Sequence, residues 1–450
     1  MICIQNIKKK MNKLILLLIV VTSSLSLNAQ DTYSLEQCIQ YALENHSSIK
    51  KAEYDSEIAT AKIKETISLG LPQINGKVDL LKNLNIQKQF LPANAFNPLA
   101  PADLVVPVAF GVDYSANANV QLNQLIFDGS YFVGLQAAKE VKAFADIGVE
   151  QSKEQVVYNV TTAYYGAIVN KERANLLHIN LAQLDSLLKE SEIMYENGLL
   201  EKIAIQQIGV NINNLKVQIN RVDNVKKLSE ALLKVYMGIS PNEDINLEGS
   251  VNDFIQKLDT ELSDQTRIEE KLLSQKKLLQ ELNLKNNKVA AYPKLYGFGS
   301  LGWNRGDNKF NQITKINSWE RYSMIGLSLD IPIFSSFRRS HVLQQNKLEI
   351  KKTEADLSLL KQQVELDIVN ATVSLDNAKN AMKIQQETMS LAKEILRVTE
   401  IKYKEGIASH FDLVQSETAL QEAQTNYYLA VYEGLSAYVN YTKATGNLTK

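Results

Sequence analysis

Two stretches of the chain alternate between apolar and polar residues. In residues 73–87 and 110–123 almost every second side chain is apolar, and those between are mostly amides or hydroxyls. Alternation over this many residues predicts strands longer than the ~5–6 residues typical of soluble sheets. A tilted membrane strand needs ~9–11 residues, so these runs are long enough to cross a membrane. Residues 294–304 and 319–334 form a second such pair. The amide-rich face suits a water-filled lumen, and an amphipathic hairpin of a soluble sheet is the alternative.

Long segments follow a different period. From Val364 to Tyr403 the apolar positions advance by alternating steps of four and three, with two polar exceptions. A repeat of 3.5 residues over more than five heptads is typical of a coiled-coil seam. Residues 177–195 keep the same spacing, with Ser191 in one gap. Residues 335–405 lack glycine and proline, which predicts a helix about 100 Å long at ~1.5 Å per residue.

Glycines mark where these helices reverse. Gly198 and Gly406 follow the last heptad of each helix and can adopt the left-handed backbone of a helix C-cap. The chain then returns as a second helix that ends at Gly238 in one half and at Gly446 in the other. Each half therefore contains a strand hairpin followed by a helical hairpin.

The same landmarks recur about 208 residues apart, which predicts two copies of one structural unit. Phe127 corresponds to Phe334, and the Tyr-x-x-Gly motif at 195–198 corresponds to that at 403–406. The first copy holds extra residues, rich in proline, between 89 and 109. This segment is predicted to be a long loop.

The N-terminus has the order of a secretory signal peptide: lysines, an apolar run at 14–21, and small residues up to Ala29. Neither kind of hairpin can bury its faces alone, so an oligomer is predicted. The predicted organisation is a signal peptide 1–29; a first repeat 30–240 with an N-terminal helix, strand hairpin 72–127 and helical hairpin 130–240; an equatorial connector 241–270; and a second repeat 271–450 with a helix, strand hairpin 293–334 and helical hairpin 336–446.

Composition narrows the class of protein. Of the 450 residues, 45% are apolar and 22% charged, and only eight are proline, with none in 108–240 or 333–450. Such proline-free stretches argue against a doubly wound enzyme or a β-sandwich. The net charge of −1 becomes −5 when the four lysines of the signal peptide are removed, and no basic stripe suggests nucleic acid. No run after residue 30 approaches ~18 apolar residues, which excludes a helical membrane protein.

No catalytic, cofactor or metal motif stands out. The four histidines are far apart, and only Cys38 remains after processing. Gly297, Gly299 and Gly302 fit a dinucleotide-binding glycine pattern, but the residues after them cannot open a helix. We therefore predict no enzyme, no cofactor and no metal site.

The motifs together resemble the TolC family of outer-membrane efflux proteins. They are the Pro-x-Ile/Leu-x-Gly strand openings, the Phe-Asp/Ser-Gly/Ser junctions and the Tyr-x-x-Gly-Leu/Ile turns. The resemblance implies an α+β membrane protein with two tandem repeats per chain. It also implies a homotrimer whose 12-stranded outer-membrane β-barrel continues into a long α-helical coiled-coil periplasmic tunnel, with loops 88–109 and 304–318 outside the cell.

The family also suggests site residues at the periplasmic tip. It places adaptor docking at the turns, here Tyr195, Gly198, Leu199, Tyr403, Gly406 and Ile407. It closes the pore with a tyrosine, matched by Tyr403, and two aspartates, matched by Asp412 and by Gln415. The aspartate that meets the tyrosine is matched by Ala204, which puts the hydrogen-bonded lock in doubt. Asp412 also fits an ordinary N-terminal helix acid, and Tyr403 a plain heptad residue.

The predicted function is a passive exit duct of a tripartite efflux or type I secretion system in the outer membrane of a Gram-negative bacterium, with most of its mass in the periplasm. Its expected partners are two further copies, a periplasmic adaptor, an inner-membrane pump of RND, ABC or MFS type, and outer-membrane lipid. The alternative is a secreted structural or adhesive coiled-coil protein.

Overall fold

The structure is a computed structural model that describes residues 32–96, 98–99, 101, 103–259, 263 and 265–449. The predicted signal peptide lies outside these residues. The helices are α1 Leu35–Asn45, α2 Ser47–Ser68, α3 Gly129–Glu196, α4 Lys202–Met237, α5 Val251–Ile255, α6 Ile268–Val289, α7 Phe310–Ile313, α8 Arg338–Lys404 and α9 His410–Ala444. The strands are β1 Thr32–Tyr33, β2 Gln73–Lys82, β3 Lys88–Pro92, β4 Val105–Ala109, β5 Tyr114–Phe127, β6 Asn246–Leu247, β7 Lys294–Asp307 and β8 Glu320–Asp330.

The chain divides into two compact units, each of which takes segments from both sequence halves. The helical unit comprises the described parts of Met1–Lys51, Val149–Ile268 and Lys361–Lys450. The sheet unit comprises the described parts of Ala52–Gly148 and Glu269–Leu360. The long helices α3 and α8 contribute residues to both units.

The sheet unit contains a four-stranded antiparallel sheet in the order β2-β5-β7-β8. Gln73 lies opposite Asn123 and Lys82 opposite Tyr114, so the two alternating runs of the sequence are paired in one register. Within the described residues, β2 and β8 are the edges of this sheet. Apolar side chains of both edge strands are exposed, including Val78 on β2 and Leu327 on β8.

The segment 89–109, predicted to be a long loop, contains regular structure instead. In this segment β3 and β4 form a separate two-stranded antiparallel sheet with Phe90 opposite Pro107. Proline is compatible with this pairing because a strand in a two-stranded sheet needs only half of its backbone donors. The second alternating run, 319–334, ends as a strand at Asp330.

The glycine pattern at 297–302 lies within β7 rather than at a strand-to-helix turn. The aromatic ring of Tyr322 on β8 lies over Gly302, where a side chain would collide with it. The Tyr322 hydroxyl donates a hydrogen bond to Asn117 Oδ1 on β5. Gly302 therefore allows close packing across the sheet.

The helical unit has two apolar cores. The larger one surrounds Tyr164 and includes Cys38, both with no exposed surface. Burial raises the pKa of the Cys38 thiol to about 12, which makes it unreactive at neutral pH. The second core joins leucines of α3, such as Leu177 and Leu184, to Ile208 of α4 and Leu413 of α9. It is the seam that the 3.5-residue repeat predicts.

No helix in the described part of the chain has both the length and the apolar composition needed to span a bilayer. Among those same residues, no group of three or more His, Cys, Asp or Glu side chains could hold a metal ion.

Candidate functional site at the helical turns

The helical unit contains the two turns at which the long helices reverse. In the first turn, residues 197–201, Gly198 has a φ of +74°; in the second, residues 405–409, Gly406 has a φ of +72°. The amide of Leu199 donates to the Met194 carbonyl, and that of Ile407 to the Lys402 carbonyl, both at 2.8 Å. Both helices thus end in a Schellman-type C-cap, which needs a left-handed residue.

An apolar side chain is exposed directly after each glycine. Leu199 is 72% exposed and Ile407 is 75% exposed. Tyr195, one helical turn before Gly198, is 42% exposed. Tyr403, at the same position before Gly406, is less exposed and lies half-buried against the neighbouring helices. Each turn therefore presents one strongly exposed apolar side chain directly after its glycine.

Asp412 is held by the start of its own helix. Ser409 is the N-cap of α9, and its hydroxyl accepts from the Asp412 amide at 3.2 Å. The Asp412 carboxylate accepts from the Ser409 amide at 2.9 Å and from the Ser409 hydroxyl at 2.6 Å. This is a capping box. These hydrogen bonds, chiefly that of the Ser409 side chain, lower the pKa of Asp412, so the exposed carboxylate is charged at neutral pH.

Tyr403 contacts His410 instead of an aspartate. The Tyr403 hydroxyl lies 3.4 Å from His410 Nδ1 and 3.8 Å from Met194 Sδ. His410 is 7% exposed, and burial lowers the pKa of its imidazole, so the ring is neutral at pH 7. Burial also raises the pKa of the Tyr403 hydroxyl. The resulting contact joins the end of α8 to the start of α9.

One of the remaining predicted site residues lies beside this contact: the backbone of Ala204 is close enough to His410 to raise the pKa of its imidazole, a smaller effect than that of burial. Gln415 is exposed on α9, and Ala204 is buried on α4. Sequence reasoning did not single out His410, because an isolated histidine next to a serine carries no pattern. Only the packing of α9 against α8 brings it to Tyr403.

A cavity of about 730 Å³ beside Tyr403 is lined by α3, α8 and α9. Its acidic side chains are Glu190, Glu400 and Glu417, and Lys404 also lines it. Glu417 Oε2 is buried without a hydrogen-bond partner. Burial, together with the nearby charge of Glu400, raises the pKa of Glu417 to about 7. Sequence reasoning missed Glu417 too, since it is 17 positions from Glu400 and lies across the turn.

The sequence of this chain is similar to those of known outer-membrane efflux proteins. Residues 280–447 match the family model described as outer membrane efflux protein. The chain is 20% identical to the outer membrane protein TolC of Vibrio cholerae over 344 residues, which is 74% of this chain and 77% of that protein. It is also 20% identical to TolC of Escherichia coli K12, covering 98% of this chain and 87% of that protein.

Solved structures agree with the fold. The outer membrane channel CmeC of Campylobacter jejuni superimposes with a TM-score of 0.67 at 17% identity, covering 92% of this chain and 85% of that one. The helix-rich fold is therefore that of outer-membrane efflux channels. Together with the sequence matches, this confirms the resemblance to the TolC family, the prediction of an outer-membrane efflux channel over a secreted coiled-coil protein, and the prediction that the chain is not an enzyme.

Proposed function

We propose that this outer-membrane efflux protein, similar to the TolC family, is the passive exit duct of a tripartite efflux or type I secretion system. Substrates would reach it from an inner-membrane pump of RND, ABC or MFS type through a periplasmic adaptor. The duct would be a homotrimer in the outer membrane, with most of its mass in the periplasm.

The observation that supports the trimer is the four-stranded sheet with two open edges and an exposed apolar face. Ile325, Leu327 and Leu329 on β8 are 91%, 70% and 59% exposed. Unpaired strand edges and lipid-facing side chains are stable in a membrane only when the sheet closes. Three copies of four strands would close a 12-stranded barrel. In this arrangement each repeat supplies one strand hairpin and one helical hairpin, and residues 241–270 connect the repeats.

The membrane assembly is tested with two substitutions on neighbouring residues of β8. Leu327→Lys places a charge on the face proposed to contact lipid, and Ser328→Lys places the same charge on the opposite, lumenal face. A lysine at the bilayer midplane costs roughly 2–4 kcal/mol. We expect Leu327→Lys to abolish heat-modifiable trimers in the outer-membrane fraction, whereas Ser328→Lys assembles and shifts ion selectivity in planar bilayers. Equal effects of the two lysines, or a wild-type chain found only in soluble fractions, would contradict the proposal.

The turns are proposed to dock the adaptor through Tyr195, Gly198, Leu199, Tyr403, Gly406 and Ile407. The exposed Leu199 and Ile407, each presented by a left-handed glycine, support this role because exposed apolar residues in a rigid turn are suited to burial against a partner.

We expect Leu199→Ser and Ile407→Ser to reduce co-purification of the adaptor at least about tenfold. Val210→Ser, at an equally apolar and 58% exposed position of α4 away from the turns, is the control. Loss of adaptor in the control would contradict a docking role specific to the turns.

Tyr403, Asp412 and Gln415 are proposed to form the pore constriction. Three symmetric Asp412 carboxylates would attract cations at the narrowest point. Asp412→Asn keeps a hydrogen-bonding side chain at the helix start but removes the charge, whereas Asp412→Ala removes both. We expect both variants to lose divalent-cation block in single-channel recordings. If only Asp412→Ala alters conductance, the role of Asp412 is capping rather than charge.

A further inference from the structure

The apolar face of the four-stranded sheet carries charges at one end only. Residues opposite each other in the register share a face, so Lys82, Arg305, Asp307 and Arg321 lie on the same face as Leu327. They are the four charged side chains that this face of β2, β5, β7 and β8 holds, and the structure describes every residue of these strands. We call these four residues the charged rim.

The charged rim lies at the end of the sheet opposite the helices. The strands join α2, α3, α6 and α8 at one end, and residues 83–113 and 308–319 connect them at the other, where the rim is. From Leu329 to Arg321, β8 runs about 27 Å at ~3.4 Å per residue, or roughly 21 Å in height at a tilt of ~40°. The apolar band of an outer-membrane barrel is ~25 Å tall. If the sheet spans the membrane as proposed, the rim therefore lies where the outer-leaflet headgroups begin.

Aromatic residues accompany the charged rim. Trp303 lies directly opposite Arg321, and Tyr114 lies directly opposite Lys82. The Lys82 ammonium is 5.6 Å from the centre of the Tyr114 ring, which shows that both side chains are on one face. Tryptophan and tyrosine are enriched where a membrane meets water. Their position next to the rim indicates the same membrane boundary as the length of the apolar band.

Two cations of the charged rim have no acidic partner. Arg305 pairs with Asp307 at 2.9 Å and also donates to the Ser318 carbonyl. Lys82 and Arg321 are exposed, and neither forms an ion pair with any described residue. They lie on the two edge strands of the sheet, β2 and β8. Three strand spacings of ~4.8 Å separate these strands by about 14 Å, which is too far for one phosphate group to contact both.

We propose that Lys82 and Arg321 bind separate phosphate groups of the phosphorylated glycolipid in the outer leaflet. Arginine can bind a phosphate through two parallel hydrogen bonds, and lysine binds it as a point charge. Their stems lie along the apolar face while the charged ends reach the headgroups. The inference rests on the proposed function, because only a sheet that spans the membrane brings this face to lipid.

The test measures binding of diphosphoryl lipid A to the full-length, detergent-solubilised assembly. The chain has two tryptophans, so Trp319→Phe leaves Trp303, next to Arg321, as the only fluorescent reporter of its kind. In this background we expect Lys82→Gln combined with Arg321→Gln to weaken lipid binding at least about tenfold, because two charge-assisted hydrogen-bonding groups are lost. Monophosphoryl lipid A has one phosphate fewer and should bind the protein with both cations at least about threefold more weakly.

A control on the same strand separates this face from overall charge. Lys77 lies on the opposite face of β2 and pairs with Asp79 at 3.0 Å, so Lys77→Gln should change binding less than about twofold. Lys82→Gln alone should weaken binding about threefold to tenfold, and it tests the proposal even if the double variant does not assemble. Equal losses for Lys77→Gln and Lys82→Gln would overturn the proposal.

Two further outcomes identify what has failed. Displacement of lipid A by inorganic phosphate at the same concentration would show that the free anion, and not the lipid, is the ligand. Heat-modifiable trimers in the outer-membrane fraction are measured for each variant. Their absence in the unaltered protein would contradict the proposed function, whereas trimers that bind lipid A equally well without the two cations would contradict only this inference.

Discussion

The two helical turns have nearly the same backbone but different chemistry. Gly198 and Gly406 share a left-handed conformation and the same C-cap hydrogen bonds. At the next helix start, however, the N-cap Glu201 makes no side-chain capping bond, whereas Ser409 forms a capping box. The backbone of the turn is therefore set by one glycine, and the residues that follow are free to differ.

Three titratable residues illustrate the difference. At a spacing of 208, His410, Asp412 and Glu417 of the second hairpin correspond to Lys202, Ala204 and Gly209 of the first. His410 packs on Tyr403, Asp412 caps α9, and Glu417 is buried near Glu400. Two helical hairpins with nearly the same turn backbone can thus differ in the pH-sensitive groups that follow the turn.

The largest expected effect concerns Glu417. Its pKa rises from 4.5 to about 7 on folding, so the folded state holds the proton more tightly than the unfolded state. The associated stability is fully present below pH 4.5 and is lost as the pH rises through 7; the shift corresponds to roughly 3 kcal/mol. We expect the free energy of unfolding to fall more between pH 5 and pH 8 in the wild type than in Glu417→Gln, measured by urea titration.

The exposed Glu422 on the same helix provides the control for this effect. Glu422→Gln keeps the wild-type dependence on pH. If Glu417→Gln retained that dependence too, the carboxyl of Glu417 would not be the group that distinguishes the second hairpin.

The next effect tests the equivalence of the two turns. Alanine in a left-handed conformation costs about 1–2 kcal/mol, and a Cβ at Gly198 or Gly406 would meet no other atom within 4 Å, so the cost is purely conformational. Gly198→Ala and Gly406→Ala should therefore lower the thermal midpoint equally. Gly209→Ala, in the interior of α4 with similar free space, should raise it, because alanine favours a helix. A larger drop in thermal midpoint for one glycine variant than for the other would show that the two turns are not equivalent.

The smallest effect concerns the helix starts. Ser409→Ala removes an N-cap hydrogen bond and is expected to destabilise the protein by about 1 kcal/mol. Glu201→Ala, at the corresponding start of α4, removes no capping bond and should change stability by less than about 0.5 kcal/mol. Thermal unfolding followed by circular dichroism measures both. A similar loss for both variants would mean that the capping box does not distinguish the turns.

Local patterns in the sequence account for much of the fold. The first alternating run contains β2, the second covers most of β5, and the stretch without glycine or proline contains α8. The two turn glycines have the positive φ that a C-cap requires. Each of these follows from the intrinsic geometry of the backbone, because strand and helix periods are repeated at short range. The prolines at 89–109 led to the prediction of a loop there. The pairing of β3 with β4 was missed because it joins two segments that are not adjacent in sequence.

The sequence by itself determined the long helices, the strands of the four-stranded sheet, the turn positions and the resemblance to a family, since these depend on neighbours along the chain. Only the tertiary structure decided that His410 meets Tyr403 and that Glu417 lies half-buried near Glu400 with Oε2 unpartnered. Burial and pKa depend on which helices pack together and on how the turn between them aligns their side chains, even for pairs only seven or 17 residues apart in sequence. No periodicity encodes such pairs, so their chemistry becomes visible only when the helices are assembled.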